Sequence, residues 1–162
     1  MKFELLSNLD LEYYARKFKI PLNNVLPKDI FNNIIPKSGN YIVNLDNSDG
    51  NGSHWTALIL TQTCAIYFDS FGQPMPQSIL RFIRKYSKSC KIIYSRNQIQ
   101  ALDSVFCGWY CLNFLYFFSA FHRRIINYGV LLNKHNSMFN INDVSANDLI
   151  LRKMIKNIYD KL

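Results

Sequence analysis

This 162-residue sequence has no long apolar run and no secretory leader pattern. Its best candidate for a membrane span, Leu112–Phe121, has ten residues, whereas a spanning helix needs about 20. The first segment, Met1–Leu11, carries Lys2, Glu4 and Asp10 and offers no small-residue cleavage site. We therefore expect no signal peptide. We expect a protein that is not secreted, has no transmembrane segment and works in a reducing compartment.

The sequence also lacks cysteines at CxxC spacing. Its four cysteines are Cys64, Cys90, Cys107 and Cys111, and the last two are four residues apart. Without a leader, a disulfide framework has little support. A zinc ion needs more ligands than Cys107, Cys111 and the distant His54 provide. We therefore expect no disulfide framework and no metal site.

Acidic residues are scarce in the second half. Between Ser70 and Asn142 the only acidic residue is Asp103, and the net charge of the chain is +8. A localised excess of positive charge suggests a polyanionic partner such as DNA. A solvated basic surface explains the same charge, and composition does not choose between these two interpretations.

The chain shows no internal repeat and no low-complexity linker, which predicts one domain over residues 1–162. The predicted order is a helix near the N-terminus, then strands, then a strongly apolar helix after the last loop. This order predicts an α+β fold with a small mixed or antiparallel central sheet flanked by helices. Ser145 and Asp148 have the spacing of a capping box. The predicted helices are 8–17, 77–89, 107–121 and 146–162, and the predicted strands are 41–45, 54–61, 64–69 and 91–95.

Four residues have the chemistry of a thiol hydrolase. His54 opens a predicted strand, Asp69 ends the next one, Gln100 lies in a loop, and Cys107 begins the apolar helix. Free cysteine has a pKa of about 8.5 and is mostly protonated at neutral pH. A helix N-terminus and a neighbouring imidazolium both favour the thiolate. A hairpin of two short strands would place His54 beside Asp69 as its orienting partner.

Each of these residues has a simpler explanation when taken alone. A cysteine on an apolar helix is usually a small core residue, which suits Cys64, Cys90 and Cys111. An isolated histidine is usually structural or exposed, as we expect for His122 and His135. An aspartate at a strand end often caps a turn. Only the joint order and spacing favour a catalytic set.

In this order and spacing the chain resembles the adenovirus-type maturation proteases, relatives of the SUMO and ubiquitin-like-protein proteases. The matching motifs are His54-Trp55, Phe68-Asp69-Ser70-Phe71-Gly72, and Gln100 followed after six intervening residues by Cys107-Gly108. Ser104 and Cys111 also fit the adenovirus branch, whereas Asp69 is the acid of the SUMO-protease branch. The resemblance covers about residues 41–118.

The resemblance implies a papain-like cysteine protease fold with the nucleophile at the N-terminus of a buried helix. It implies Cys107 as nucleophile, His54 as general base, Asp69 as orienting acid and Gln100 as oxyanion donor. Gln98 is a competing candidate for the last role. Trp55 and Gly108 would belong to the substrate channel. Such a channel favours glycine before the scissile bond.

The resemblance further implies a viral or virophage endopeptidase that cleaves capsid or core precursors after Gly-Gly-like motifs. It would work in the virion, or in the host cytoplasm or nucleus, most simply as a monomer. DNA and an activating peptide are cofactors in the adenovirus enzyme, so both are candidates here. A deconjugating protease for ubiquitin-like proteins is the main alternative. A basic nucleic-acid-binding module on an inactive protease fold is another.

The candidate DNA-binding surface is a basic stripe on the predicted helix 77–89. Its residues recur at positions i, i+3, i+4 and i+7, the spacing of one helix face. No acidic residue occurs from Ser70 to Leu102. The stripe consists of Arg81, Arg84, Lys85 and Lys88.

Overall fold

The sheet is the frame of the molecule. The computed structural model describes residues 2–121 and 127–162. Five strands form one mixed sheet in sequential order. The three central strands are antiparallel, and each outer strand runs parallel to its neighbour. The strands are β1 (Asn24–Pro27), β2 (Gly39–Asn44), β3 (Trp55–Leu60), β4 (Cys64–Phe68) and β5 (Lys91–Tyr94).

The helices confirm the α+β class. Two of them, α1 and α3, have the predicted bounds. Strand β1 was not predicted, because it is four residues long and contains Pro27, and proline usually marks a turn or a sheet edge. The helices are α1 (Asn8–Lys17), α2 (Gln77–Tyr86), α3 (Cys107–Phe121), α4 (Tyr128–Asn136) and α5 (Asn147–Tyr159). Short 3₁₀ turns occupy Ile30–Asn32 and Val144–Ala146.

Three predicted helix ends were wrong, the C-terminal end of α2 and both ends of α5, which spans Asn147–Tyr159 and not 146–162. Helix α2 ends at Tyr86, so Lys88 lies beyond it and not on its stripe. Helix α5 begins at Asn147, directly after a 3₁₀ turn, and has no side-chain cap. Ser145 instead donates its hydroxyl to Asp143, and Asp148 accepts a hydrogen bond from the Tyr110 hydroxyl at 3.0 Å.

The sheet is covered on both faces, and alternation along the strands decides which side chains face which layer. Helix α3 lies against one face and is apolar all round, with 11 of its 15 residues buried. Helices α1, α4 and α5 pack around α3. Helix α2 covers the other face through Ile79, Phe82 and Ile83. Among the described residues, no helix is long and apolar enough to cross a membrane.

His135 lies in the core between α3 and α4. It is fully buried, and its ring nitrogens approach the amide oxygens of Asn113 and Asn136 at 3.1 and 3.2 Å. Burial lowers the pKa of His135 to about 4, so the ring is neutral. This histidine is therefore structural, as predicted. His122 and the basic residues Arg123 and Arg124 lie outside the described residues.

Candidate active site

The β3–β4 hairpin brings His54 and Asp69 together. His54 directly precedes β3 and Asp69 directly follows β4, and these two strands are antiparallel neighbours. The His54 Nε2 atom lies 2.9 Å from Asp69 Oδ1. The Asp69 side chain is fully buried and that of His54 is 11% exposed. The predicted pair therefore meets in a largely dry position.

The turn after β4 fixes both members of this pair. The backbone N–H of Phe71 donates to Asp69 Oδ1 at 2.7 Å, and the Phe71 ring stacks on His54 with centroids 4.5 Å apart. Gly72 has a φ of +70°, and a Cβ there would lie 2.7 Å from the carbonyl oxygen of Arg96. Glycine is therefore required at position 72. The sequence motif around Asp69 includes Phe71 but does not reveal that its ring stacks on His54.

Cys107 is the first residue of α3 and is 5% exposed. The N–H groups in the first turn of a helix lack partners within the helix and favour a negative charge. Burial alone would lower the pKa of His54, but hydrogen bonding to Asp69 and to Cys107 outweighs it and raises that pKa to about 9. With Nε2 on Asp69, Nδ1 is the ring nitrogen left for the thiol.

Gly108 lies beneath the start of α1. A Cβ at this position would be 3.2 Å from side-chain atoms of both Leu6 and Leu11. These two leucines flank the Ser7 cap of α1 as a hydrophobic staple, beside a capping box between Ser7 and Asp10. Gly108 thus lets the N-terminal segment pack directly against the residue that follows Cys107.

Two tryptophans hold the N-terminal segment in place. The indole N–H of Trp55 donates to the carbonyl oxygen of Leu6, and that of Trp109 donates to the carbonyl oxygen of Glu4, both at 2.9 Å. Sequence reasoning missed this segment, because main-chain acceptors leave no mark in a residue pattern. Its only sequence signal was the position of Trp55 and Trp109 beside His54 and Cys107.

A groove of about 630 Å³ reaches Cys107. The N-terminal segment forms one wall, and β1 with the loop before β3 forms the rest. Leu5, Leu26 and Trp55 supply apolar surface, while asparagines and serines of the loop, among them Asn51 and Ser53, supply hydrogen-bonding groups. This lining fits an extended peptide better than a small charged ligand.

Gln100 braces the loop before Cys107 and is fully buried. Its Oε1 accepts the Ser70 hydroxyl at 2.6 Å, and its Nε2 donates to the Ser104 carbonyl at 2.8 Å and hydroxyl at 3.2 Å. The competing Gln98 is half-buried and donates to the carbonyl oxygen of Gln100. Gln100 therefore links the strand end that carries Asp69 to the loop that leads to Cys107.

The other cysteines are core residues. Burial raises the pKa of Cys64 to about 11, that of Cys90 above its usual range, and that of the fully buried Cys111 well above it. Each of them is therefore a protonated thiol at neutral pH. No cluster of His, Cys, Asp or Glu among residues 2–121 and 127–162 has the composition of a metal site.

The basic residues of α2 are exposed but partly engaged with the protein itself. Arg84 donates to the carbonyl oxygens of Lys88 and Cys90, both at 2.8 Å. Arg81 donates to Asn32, and Lys85 makes a long contact of 3.4 Å with the Ile34 carbonyl. Arg84 thus holds the turn after α2, while Lys85 and Lys88 are freer.

Comparison with solved structures identifies the fold. The ASFV pS273R protease superposes with a TM-score of 0.58 at 15% sequence identity, over 96% of this chain and 67% of that chain. This chain has the fold of that protease. The central domain of the uncharacterized Lpg1148 protein from Legionella pneumophila has a TM-score of 0.53 at 12% identity, over 98% of both chains. No protein family and no curated protein matches the sequence.

Proposed function

We propose that the protein is a cysteine endopeptidase. The observation that carries this proposal is a single arrangement at the end of a peptide-sized groove. A thiol at the start of a buried helix lies close enough to an imidazole to raise its pKa, and Nε2 of that imidazole is held 2.9 Å from a buried carboxylate. The fold shared with the ASFV pS273R protease agrees with this assignment.

The geometry supports a two-step acyl transfer. Nδ1 of His54 holds the proton of Cys107, and the thiolate sulfur attacks the scissile carbonyl carbon to form a C–S bond. The imidazolium then gives its proton to the leaving amine as the C–N bond breaks. Water attacks the thioester, its proton passes to His54, and the free acid leaves as the thiol is restored. Asp69 holds the ring in the tautomer that this exchange needs.

The oxyanion needs donors on the Cys107 side of the substrate carbonyl. The backbone N–H of Cys107, at the helix start, is the first candidate. The Gln100 amide is the second, and it would have to exchange one of its bonds to Ser104 for the oxyanion. Gln98 remains the competitor, because within the described part of the chain its amide makes one hydrogen bond, to the Gln100 carbonyl.

The proposed substrates are capsid or core precursor proteins of a virus, cleaved after Gly-Gly-like motifs as in adenovirus-type proteases. The groove supports an extended chain, and Trp55 stands within it beside His54. A glycine at the cut site would pass Trp55 without a side-chain clash. A ubiquitin-like tail is an extended Gly-Gly chain as well, so substrate choice has to be measured directly.

The test is cleavage of two matched substrates. One is an internal Gly-Gly peptide with residues on both sides of the cut, and the other is a ubiquitin-like protein with a fused C-terminal extension. We expect cleavage of the internal peptide by the wild type and none by Cys107→Ala, while Cys111→Ala, the same change one turn deeper, stays active. Cleavage by Cys107→Ala would overturn the endopeptidase, and exclusive cleavage of the fusion would favour deconjugation.

A further inference from the structure

Two buried polar atoms, one of them on the Asp69 carboxylate that holds His54, have no hydrogen-bond partner within residues 2–121 and 127–162. They are Asp69 Oδ2 and the hydroxyl of Tyr67, and within the described part of the chain Ser78 Oγ is the only other such side-chain atom. Burying a polar atom without a partner costs free energy, so folded proteins hold few of them. Two such atoms occur here on Tyr67 and Asp69, two residues apart, and Asp69 is the orienting acid of the proposed site. Their burial therefore needs a physical explanation.

The strand register places these atoms in one small region. Tyr67 and Asp69 are two positions apart, so their side chains leave the sheet on the same face. Ala57 pairs with Phe68, which puts Thr56 opposite Asp69. Thr56 is fully buried, and its hydroxyl donates to the Val43 carbonyl at 3.3 Å. Three polar side chains therefore share one patch of the face that α2 covers.

The Tyr67 hydroxyl is a permanent donor. Burial raises the pKa of Tyr67, the Thr56 hydroxyl opposes that shift although it lies outside hydrogen-bonding geometry, and the negative charge of Asp69 adds to it. The titratable groups that approach the cluster from α3 are Cys107 and Cys111, and His54 approaches from the start of β3. Helix α2 contributes only uncharged side chains to its buried face.

The carboxylate of Asp69 is held on one side only. Its Oδ1 atom accepts hydrogen bonds from the His54 ring and from the Phe71 backbone N–H, whereas Oδ2 is buried and has no partner among the described residues. A donor on Oδ2 would stop the carboxylate from rotating and would stabilise its negative charge. Buried waters commonly join polar groups of this kind when two or more partners are available.

We propose that Tyr67 is a positioning residue whose hydroxyl donates, through one buried water that the Thr56 hydroxyl also faces, to Asp69 Oδ2. This inference rests on the proposed function, since holding Asp69 matters only if Asp69, His54 and Cys107 act together. Tyr67 is not among the described residues that line the substrate groove. It acts through Asp69, by keeping the carboxylate charged and aimed at His54.

The test is the pH dependence of Cys107 alkylation by iodoacetamide in Tyr67→Phe, which loses only the hydroxyl. A carboxylate with one donor fewer takes up a proton more readily, and the released imidazole no longer supports the thiolate. We expect the acid side of the rate profile to move up by about one pH unit. Tyr41→Phe is the control, because it removes a buried hydroxyl on the same face that binds the main chain of Lys37.

Alkylation requires no substrate, so this result is independent of whether the protein cleaves peptides. An unshifted profile in folded Tyr67→Phe overturns the inference, as does an equal shift in Tyr41→Phe. If Tyr67→Phe fails to fold, Thr56→Val takes its place, with a smaller shift in the same direction expected. A crystal structure without a water between the Tyr67 hydroxyl and Asp69 Oδ2 also overturns the bridge.

Discussion

His54 sets the pH range over which the proposed chemistry can run. Its pKa rises from 6.5 to about 9, because Asp69 and Cys107 favour the charged ring more than burial disfavours it. The folded state therefore gains stability from His54 below the unfolded pKa of 6.5, and this gain is lost as the pH rises through 9. The imidazolium that activates the thiol is lost over the same range.

Replacing Asp69 by Asn should move this range. The variant keeps the shape of the side chain but removes the charge that stabilises the imidazolium. We expect the alkaline side of the kcat/KM profile to fall near 9 in the wild type and to shift toward 6.5 in the variant. Peptide hydrolysis across the pH range measures it. Asp103→Asn, the same change on an exposed residue near Cys107, should leave the profile in place.

Replacing Gln100 by Ala separates its two candidate roles. As an oxyanion donor, Gln100 should contribute on the order of 10²-fold to kcat and almost nothing to alkylation of Cys107, which forms no oxyanion. As a brace only, its loss should slow both reactions together. We expect the first result, with Gln98→Ala mild in both assays. A large loss of kcat in Gln98→Ala together with a small effect of Gln100→Ala would identify Gln98 as the oxyanion donor.

At the residue scale, the sequence indicates the candidate catalytic residues more clearly than the residues that hold them in position. His54, Asp69 and Cys107 were found because their types and spacing are rare in combination. Phe71 acts through ring stacking on His54, and Tyr67 is one more buried aromatic side chain of the core, so neither stands out in the sequence. Their contributions become visible only when the strand register and the turn after β4 are known.

At the element scale, the start of α1 belongs to the site as much as to the core. The Leu6–Leu11 staple sits over Gly108, and Trp55 and Trp109 hold the preceding main chain. The groove wall therefore depends on how closely α1 approaches α3. The sequence did predict α1 from its polar first turn, but not that it docks beside Cys107.

Gly108→Ala tests that dependence. The added Cβ would lie 3.2 Å from side-chain atoms of Leu6 and Leu11, tighter than most real contacts, so the staple at the start of α1 must give way by a few tenths of an ångström. Overpacking of this kind costs about 1–3 kcal/mol. We expect a lower thermal midpoint and a higher KM for the peptide with a smaller change in kcat. An unchanged KM in a folded variant would remove the N-terminal segment from the substrate groove.

The basic surface of α2 remains a prediction for DNA binding. Lys85 on α2 and Lys88 in the turn after it are the better candidates, because Arg84 donates to carbonyl oxygens of that turn. Lys85→Glu with Lys88→Glu should weaken binding of duplex DNA, and binding by the wild type should fall steeply with salt. Titrations at two salt concentrations measure both.

The matched control changes two exposed lysines on α5, Lys153→Glu and Lys156→Glu, by the same charge. Cleavage of a short peptide should be unaffected in both double variants. Equal loss of DNA binding in the control would mean that the net charge of the protein, and not the position of Lys85 and Lys88, determines binding. No binding at low salt would leave the α2 surface as a solvated face.

At the scale of the whole molecule, His135 limits stability in acid. Its folded pKa of about 4 lies below its unfolded value of 6.5, so the unfolded chain binds a proton more readily. Stability should therefore fall as the pH drops from 6.5 toward 4, by up to about 3 kcal/mol. Urea midpoints at several pH values measure it. The glutamine in His135→Gln cannot titrate, so the stability of this variant should depend less on pH between 6.5 and 4. An equally steep loss of stability in this variant would mean that another group causes it.

The overall architecture was predictable because apolar runs and turn residues mark β2 to β5 and α3 clearly. Strand β1 and the ends of α2 and α5 were not, since a short proline-containing edge strand and a helix without a side-chain cap carry weak local signals. Which face each helix covers follows from the complete packing of the sheet and not from any one segment.

The most direct test of the central claim is competitive labelling of the native protein with limiting iodoacetamide, read by peptide mass spectrometry. Cys107 should be modified first and in parallel with loss of peptide cleavage. Cys64, Cys90 and Cys111, all buried with raised pKa values, should stay unmodified. His54→Ala should slow the labelling of Cys107 at neutral pH. Cleavage that survives full modification of Cys107, or earlier labelling of another cysteine, would contradict Cys107 as the nucleophile.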